Sequence, residues 1–111
     1  MAAFMTGICS CMHESKLEGV ADVSFQNDIK RILNGNCTFS GCHDGHSGEA
    51  DFTSYEGVMS HIEAGNARAS KIYKAVTNRT FNEMPPSGYP KLSSSDIRLL
   101  YIWIEQGAKN N

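Results

Sequence analysis

The chain has 111 residues, of which 41% are hydrophobic and 20% are charged, and its formal net charge is −2. This length fits one domain with one modest core, and the composition is that of a globular chain rather than a disordered one. The chain has no Lys/Arg block and no basic stripe, so no nucleic-acid partner is predicted.

Residues 1–21 are predicted to be a leader and linker in front of a single domain, residues 22–111. The first eight residues, MAAFMTGI, resemble the end of a signal peptide that starts further upstream, and they are too short to span a bilayer. Residues 8–11 resemble a bacterial lipobox, so a lipid on Cys11 would tether the protein to a membrane. The alternative is a leader without function.

The first predicted helix begins at Ser24, which suits an N-cap, and ends near Asn34, where Gly35 follows. Apolar side chains recur along it at helical spacing and form one face: Phe25, Ile29, Ile32 and Leu33. Residues 36–50 are rich in Gly, Ser, Asn and Asp, which predicts a loop.

Further helices are predicted over residues 54–64 and 70–77, and a stiff, extended strap over 81–92, which holds all three prolines. The last helix has a cap at Ser93 and a stop at Gly107, and it is apolar on most of its circumference. The sequence therefore predicts an all-α fold with several short helices and long loops. Long loops in a compact small domain indicate a bound cofactor that holds them.

The second of two close cysteine pairs, Cys37 and Cys42, is followed directly by His43. Haem c attachment uses two thiols to form thioethers and an adjacent imidazole to bind the iron, usually with two residues between the cysteines. Here four residues intervene, and Gly41 would ease the backbone through the longer loop. Two alternatives remain open: a disulfide between the two cysteines, or a zinc site that also uses His43 and His46.

Met84 lies between polar residues and two prolines, in the sequence FNEMPPSG. This position is poorly explained by core packing and well explained by a thioether held at a fixed distance from a metal. A thioether is a soft, neutral donor that suits haem iron opposite a histidine. Met59, in contrast, lies within a helical pattern and is predicted to pack in the core.

In this combination the chain resembles the small bacterial cytochrome c domains of the planctomycete type, within the class I cytochrome c fold. The matching stretches appear in the family's order and cover residues 23–108: VSFQNDIKRILNGNC, GCHDG, DFTSYEGV, SKIYKAVTN, EMPPSG and LSSSDIRLLYIWIEQGA. The chain departs from the family in the four-residue gap between its cysteines, where two residues are common.

The resemblance implies an all-α, cytochrome c-like fold wrapped around one haem c, with the first and last helices crossing. It implies that Cys37 and Cys42 attach the haem, that His43 is the proximal iron ligand and that Met84 is the distal one. A haem with two protein ligands has no open position, so the predicted function is electron transfer rather than catalysis. The predicted partners are redox proteins, and the predicted location is the periplasm or the extracytoplasmic face of a bacterial membrane.

Other functions stay open on the sequence alone. A haem enzyme or sensor would need a displaceable Met84 and a polar group such as His46 or His61. A zinc- or disulfide-stabilised interaction module, and a domain docked to a larger oxidoreductase, are further alternatives.

The haem-facing walls are predicted to be apolar, which would raise the reduction potential: Ile29, Leu33, Ile72, Val76, Leu100 and Trp103.

Overall fold

The computed structural model describes residues 17–38, 42–46, 48, 50–77 and 84–111. Most of the predicted leader, with its lipobox at residues 8–11, lies outside these residues, as do Gly41 and the start of the predicted strap. The described residues form four α-helices and no strand, which confirms the all-α prediction. None of the helices in this part of the chain is long and apolar enough to cross a membrane.

The helical segments follow one another in this order: a π-helical turn (Phe25–Ile29) that runs into α1 (Lys30–Asn36), then α2 (Tyr55–Met59), a 3₁₀ turn (Ala67–Ala69), α3 (Lys71–Thr77) and α4 (Ser94–Glu105). Serine side chains cap three of the helical starts, at Ser24, Ser54 and Ser93. Each hydroxyl oxygen accepts a hydrogen bond of 3.0 to 3.1 Å from the backbone N–H three residues later. Each cap therefore satisfies a donor that the helix itself leaves unpaired, as the sequence predicts for Ser24 and Ser93.

Two helix ends differ from the predictions. The first helix does not stop before Gly35 but continues to Asn36, whose side-chain amide donates to the carbonyl oxygen of Ile32 at 2.9 Å. The second helix ends at Met59 rather than near residue 64, because the backbone N–H groups of His61 and Ile62 bond only three residues back and turn the chain. The end of α4 matches its prediction, with Gly107 at a φ of +107° that favours glycine.

The first helical segment packs on the last one, as the resemblance implies. The Phe25 ring lies 5.5 Å from the Trp103 ring and meets the Tyr55 ring edge-on at 5.2 Å. Ile29 and Ile104 are fully buried beside them. The core thus lies between the π-helical turn and α4, and α3 packs against the same helix.

Hydrogen bonds also join the two ends of the domain. The Asn111 side chain accepts from the backbone N–H of Phe25 at 2.8 Å and donates to the carbonyl of Val23 at 3.1 Å. The Ser24 hydroxyl donates to the Asn111 carbonyl at 2.7 Å, and the Gln106 side chain accepts from the N–H of Val23 at 2.9 Å. The start of the first helix is therefore held to the C-terminal segment by side chains as well as by packing.

Candidate haem-binding site

A mostly apolar cleft of about 230 Å³ contains all four predicted site residues. The lining comes from the end of α1, the loop after it, the turn after α2, helix α3 and the strap: Asn36, Cys37, Cys42, His43, Phe52, His61, Lys71, Ile72, Ala75, Val76, Met84 and Pro85.

Cys37 and Cys42 are positioned by a loop that closes on itself. The N–H of Cys37 donates to the carbonyl of Leu33 at 2.7 Å, and its own carbonyl accepts from the N–H of His43 at 3.0 Å. Both cysteines are thiols in the structure, so it contains no disulfide between them. Burial raises the pKa of the Cys37 thiol to about 11, and the charge of a Cys42 thiolate adds to that shift. At neutral pH Cys37 is therefore a neutral thiol, and the reactive thiolate form is scarce.

The His43 ring is held by a hydrogen bond and a stacking contact. Its Nδ1 lies 2.7 Å from the carbonyl oxygen of Ala50. Because a carbonyl oxygen can only accept, Nδ1 must carry the proton, which leaves the lone pair of the neutral ring on Nε2. The Phe52 ring stacks on the imidazole at 4.2 Å, and the N–H of Phe52 donates to the His43 carbonyl at 3.1 Å. The ring is thus oriented and its tautomer fixed, as is usual for a metal-binding histidine.

Asp51 shapes the segment that holds His43. Its carboxylate accepts from the Thr53 hydroxyl and from the Thr53 backbone N–H, the latter at 2.8 Å. These two hydrogen bonds lower the pKa of Asp51, so the carboxylate stays ionised across the neutral range and keeps the turn. Gly57 in α2 fits against the same segment, because a Cβ there would lie 1.8 Å from the carbonyl oxygen of Asp51.

Replacement of Gly57 by alanine is expected to lower the free energy of unfolding by at least about 2 kcal/mol, because a backbone oxygen that close cannot be accommodated without moving the segment. Gly35→Ala is the matched control, since Gly35 also lies in a helix but a Cβ there meets no atom within 4 Å. The control should stabilise the protein by about 0.5 to 1 kcal/mol. Denaturant unfolding of both holoproteins measures the difference, and equal midpoints would show that α2 does not pack this closely on Asp51.

Met84 reaches the cleft from the strap after α3. Its backbone N–H donates to the carbonyl of Ala75 at 2.9 Å, which ties the strap to α3. Pro85, the next residue, is buried, and its carbonyl accepts a hydrogen bond from the Lys91 ammonium group. The backbone of Met84 and Pro85 is therefore held at the cleft. The strap is not extended throughout as predicted, because the N–H of Tyr89 donates to the carbonyl of Pro86 at 3.1 Å and forms a turn.

The walls of the cleft differ in part from the prediction. Ile72 and Val76 line it, but the other four predicted wall residues belong to the core: Ile29, Leu33, Leu100 and Trp103. Sequence reasoning missed Phe52 and Lys71 as cleft residues, and it named His61 only as a polar group for an alternative haem enzyme or sensor. Helical periodicity could have found Lys71 and Ala75, since they share a face of α3 with Ile72 and Val76. No local signal marks Phe52.

The zinc alternative is not supported by the side-chain arrangement. Within the described ranges, no group of three or more His, Cys, Asp or Glu side chains is placed to hold a metal ion. His46, which the zinc site would need, is exposed and does not line the cleft.

The side chains of the cleft fit haem c by their chemistry. Two thiols can form thioethers, an imidazole presents a lone pair on Nε2, a thioether sulfur is available as a soft donor, and the remaining walls are mostly apolar. Residues that are far apart in the sequence supply these groups, and the fold brings them to one place.

Comparison with known proteins supports the same conclusion. Residues 40–88 match a family model described as Planctomycete cytochrome C. The matched region contains Cys42, His43 and Met84 and begins after Cys37. No match was found among curated proteins or among solved structures. This match supports a planctomycete-type cytochrome c domain, and domains of this kind bind haem c covalently and typically transfer electrons.

Proposed function

We propose that the chain is a monohaem electron carrier whose haem is attached through Cys37 and Cys42 and ligated by His43 and Met84. The observation that carries this proposal is the meeting of these four side chains in one mostly apolar cleft. The commitment of His43 Nδ1 to the Ala50 carbonyl supports it further, because Nε2 is then the ring nitrogen available to iron.

The residues of the cleft suit electron transfer better than catalysis. The haem, when bound, supplies an iron that alternates between two oxidation states one electron apart. Two protein donors, His43 and Met84, would leave no position for a substrate, and they favour the reduced state over the oxidised one. Apolar side chains from α3, such as Ile72 and Val76, would disfavour the extra positive charge of the oxidised form.

The cellular setting is part of the proposal. Residues 22–111 would be the electron-transfer domain, and the preceding residues a processed leader and linker. The lipobox-like sequence before Cys11 supports a lipid tether on the extracytoplasmic side of a bacterial membrane, or in the periplasm. The partners would be redox proteins that exchange electrons with the haem, including a larger oxidoreductase to which the domain docks.

The test is the haem content of the denatured polypeptide, made in cells that can mature c-type cytochromes. Haem should stay with the wild-type chain after denaturation, and with a Cys9→Ser control, because Cys9 lies in the leader. The single variants Cys37→Ser and Cys42→Ser should each lose one thioether, and the double variant should lose all covalent haem. Extractable haem in the wild type, or covalent haem in the double variant, would refute the attachment.

A further inference from the structure

Two side chains with hydrogen-bonding nitrogens line the otherwise mostly apolar cleft in addition to His43 and Asn36: His61 and Lys71. They come from different segments, the turn after α2 and the first residue of α3. The backbone N–H of Ile72 donates to the carbonyl of His61 at 3.3 Å, so the fold places the two residues side by side. None of the described residues that line the cleft is acidic.

His61 is separated from His43 by the Phe52 ring. Phe52 stacks on His43 at 4.2 Å and meets the His61 ring edge-on at 5.5 Å. Along this wall the order is therefore Cys42, His43, Phe52, His61. His61, with Lys71 beside it, is thus separated by the Phe52 ring from His43, the residue that follows Cys42.

The orientation of His61 leaves one ring nitrogen for a ligand. The Ser60 hydroxyl donates its only proton to the Gly57 carbonyl at 2.7 Å, so the same oxygen accepts from His61 Nδ1 at 2.9 Å. Nε2 is the nitrogen that remains, and it can share a proton with a carboxyl group. Lys71 is exposed and adds an ammonium group, a compact cation with three hydrogen-bond donors.

The ligand that this pair fits follows from the chemistry of the haem ring. Its two vinyl groups and its two carboxylate side chains lie at opposite edges. Thioethers to Cys37 and Cys42 would hold the vinyl edge, so the carboxylates must meet the part of the cleft furthest from the thiols. We propose, on the basis of the proposed function, that Lys71 and His61 bind the haem carboxylates.

This role has a consequence for the iron. An unpaired carboxylate near the iron favours the oxidised, more positive state, and a bound cation offsets that preference. Lys71→Met should therefore lower the equilibrium constant for haem reduction about tenfold, or about 59 mV for one electron. Lys71→Arg keeps the charge and the donors and should stay within about twofold of the wild type.

The matched control is Lys74→Met. Lys74 lies on the same helix and is exposed, but it does not line the cleft. Lys74→Met removes the same charge as Lys71→Met, so any general effect of net charge appears equally in these two variants. His61→Phe keeps an aromatic ring beside Phe52 while it removes the ring nitrogens, and it should also lower the potential.

The experiment is a redox titration of the four holoproteins and the wild type, with resonance Raman spectra of the haem carboxylate bending modes. The proposal predicts a lower potential and shifted carboxylate bands in Lys71→Met and His61→Phe but not in Lys74→Met. Equal shifts in Lys71→Met and Lys74→Met, with covalent haem present in all proteins, would overturn the carboxylate assignment alone. A wild type without covalent haem would overturn the proposed function as well.

Discussion

Replacement of Met84 by alanine is expected to leave the haem covalently attached and to lower its reduction potential by roughly 100 mV, a modest part of the ~0.8 V range that axial ligands span. At 59 mV per tenfold change, this is about a fiftyfold loss in the equilibrium constant for reduction. The physical reason is the loss of the soft thioether donor, which stabilises the reduced iron. Redox titration measures the shift, and binding of added carbon monoxide reports the opened position.

Met59→Ala is the control for the Met84 prediction. Met59 ends α2 and packs against the core without lining the cleft, so its replacement should reduce stability and leave the potential near that of the wild type. A Met84→Ala protein with unchanged spectrum and potential would remove Met84 from the ligand set. Tight binding of carbon monoxide by the wild type itself would favour the sensor alternative over the electron carrier.

Replacement of His43 by alanine is expected to reduce the yield of normal holoprotein by more than tenfold. Changes to residues that merely support a metal-binding histidine typically cost 10- to 100-fold in affinity, and His43→Ala removes the ligand itself. It also removes the hydrogen bond to the Ala50 carbonyl that shapes the loop. Covalent haem per polypeptide and the absorption spectrum of the purified protein measure the loss.

His46→Ala is the matched control, since His46 lies in the same loop, is exposed and does not line the cleft. It should yield holoprotein at the wild-type level with an unchanged spectrum. Native haem content and ligation in His43→Ala would refute the proximal role, and equal losses in both variants would indicate a general weakening of the loop.

Local signals predicted the starts of the helices well, because a cap is formed within three residues. Ser24, Ser54 and Ser93 each cap the segment that follows them. The ends were harder to predict when contacts beyond the segment decide them. The turn after α2 is held partly by the buried Ser70, whose hydroxyl oxygen accepts from the N–H of Glu63 at 2.8 Å. A window of sequence around α2 does not contain that residue.

The same distinction applies to the site. The two cysteines, the adjacent histidine and the methionine before two prolines predict the types of ligand from the sequence alone. The fold brings all of these residues to one cleft. The contacts that hold these residues in place could not be predicted from the sequence. The bond from His43 to Ala50 and the close approach of Gly57 to Asp51 depend on how separate segments meet, and neither leaves a local pattern.

The hydrogen bonds that join the ends of the domain have a consequence for the order of folding. They connect Val23 with Gln106 and Asn111, residues 83 and 88 positions away in the chain. Closing a loop of that size costs about 4 kcal/mol of chain entropy before any contact repays it. The segment that carries the thiols, the imidazole and α3 lies inside this loop, and Phe25 has no Trp103 to pack on until α4 has been synthesised. The anchor of the first helix is therefore complete only when α4 and the C-terminal segment are present, so a chain that ends before α4 would lose this anchor as well as its last helix.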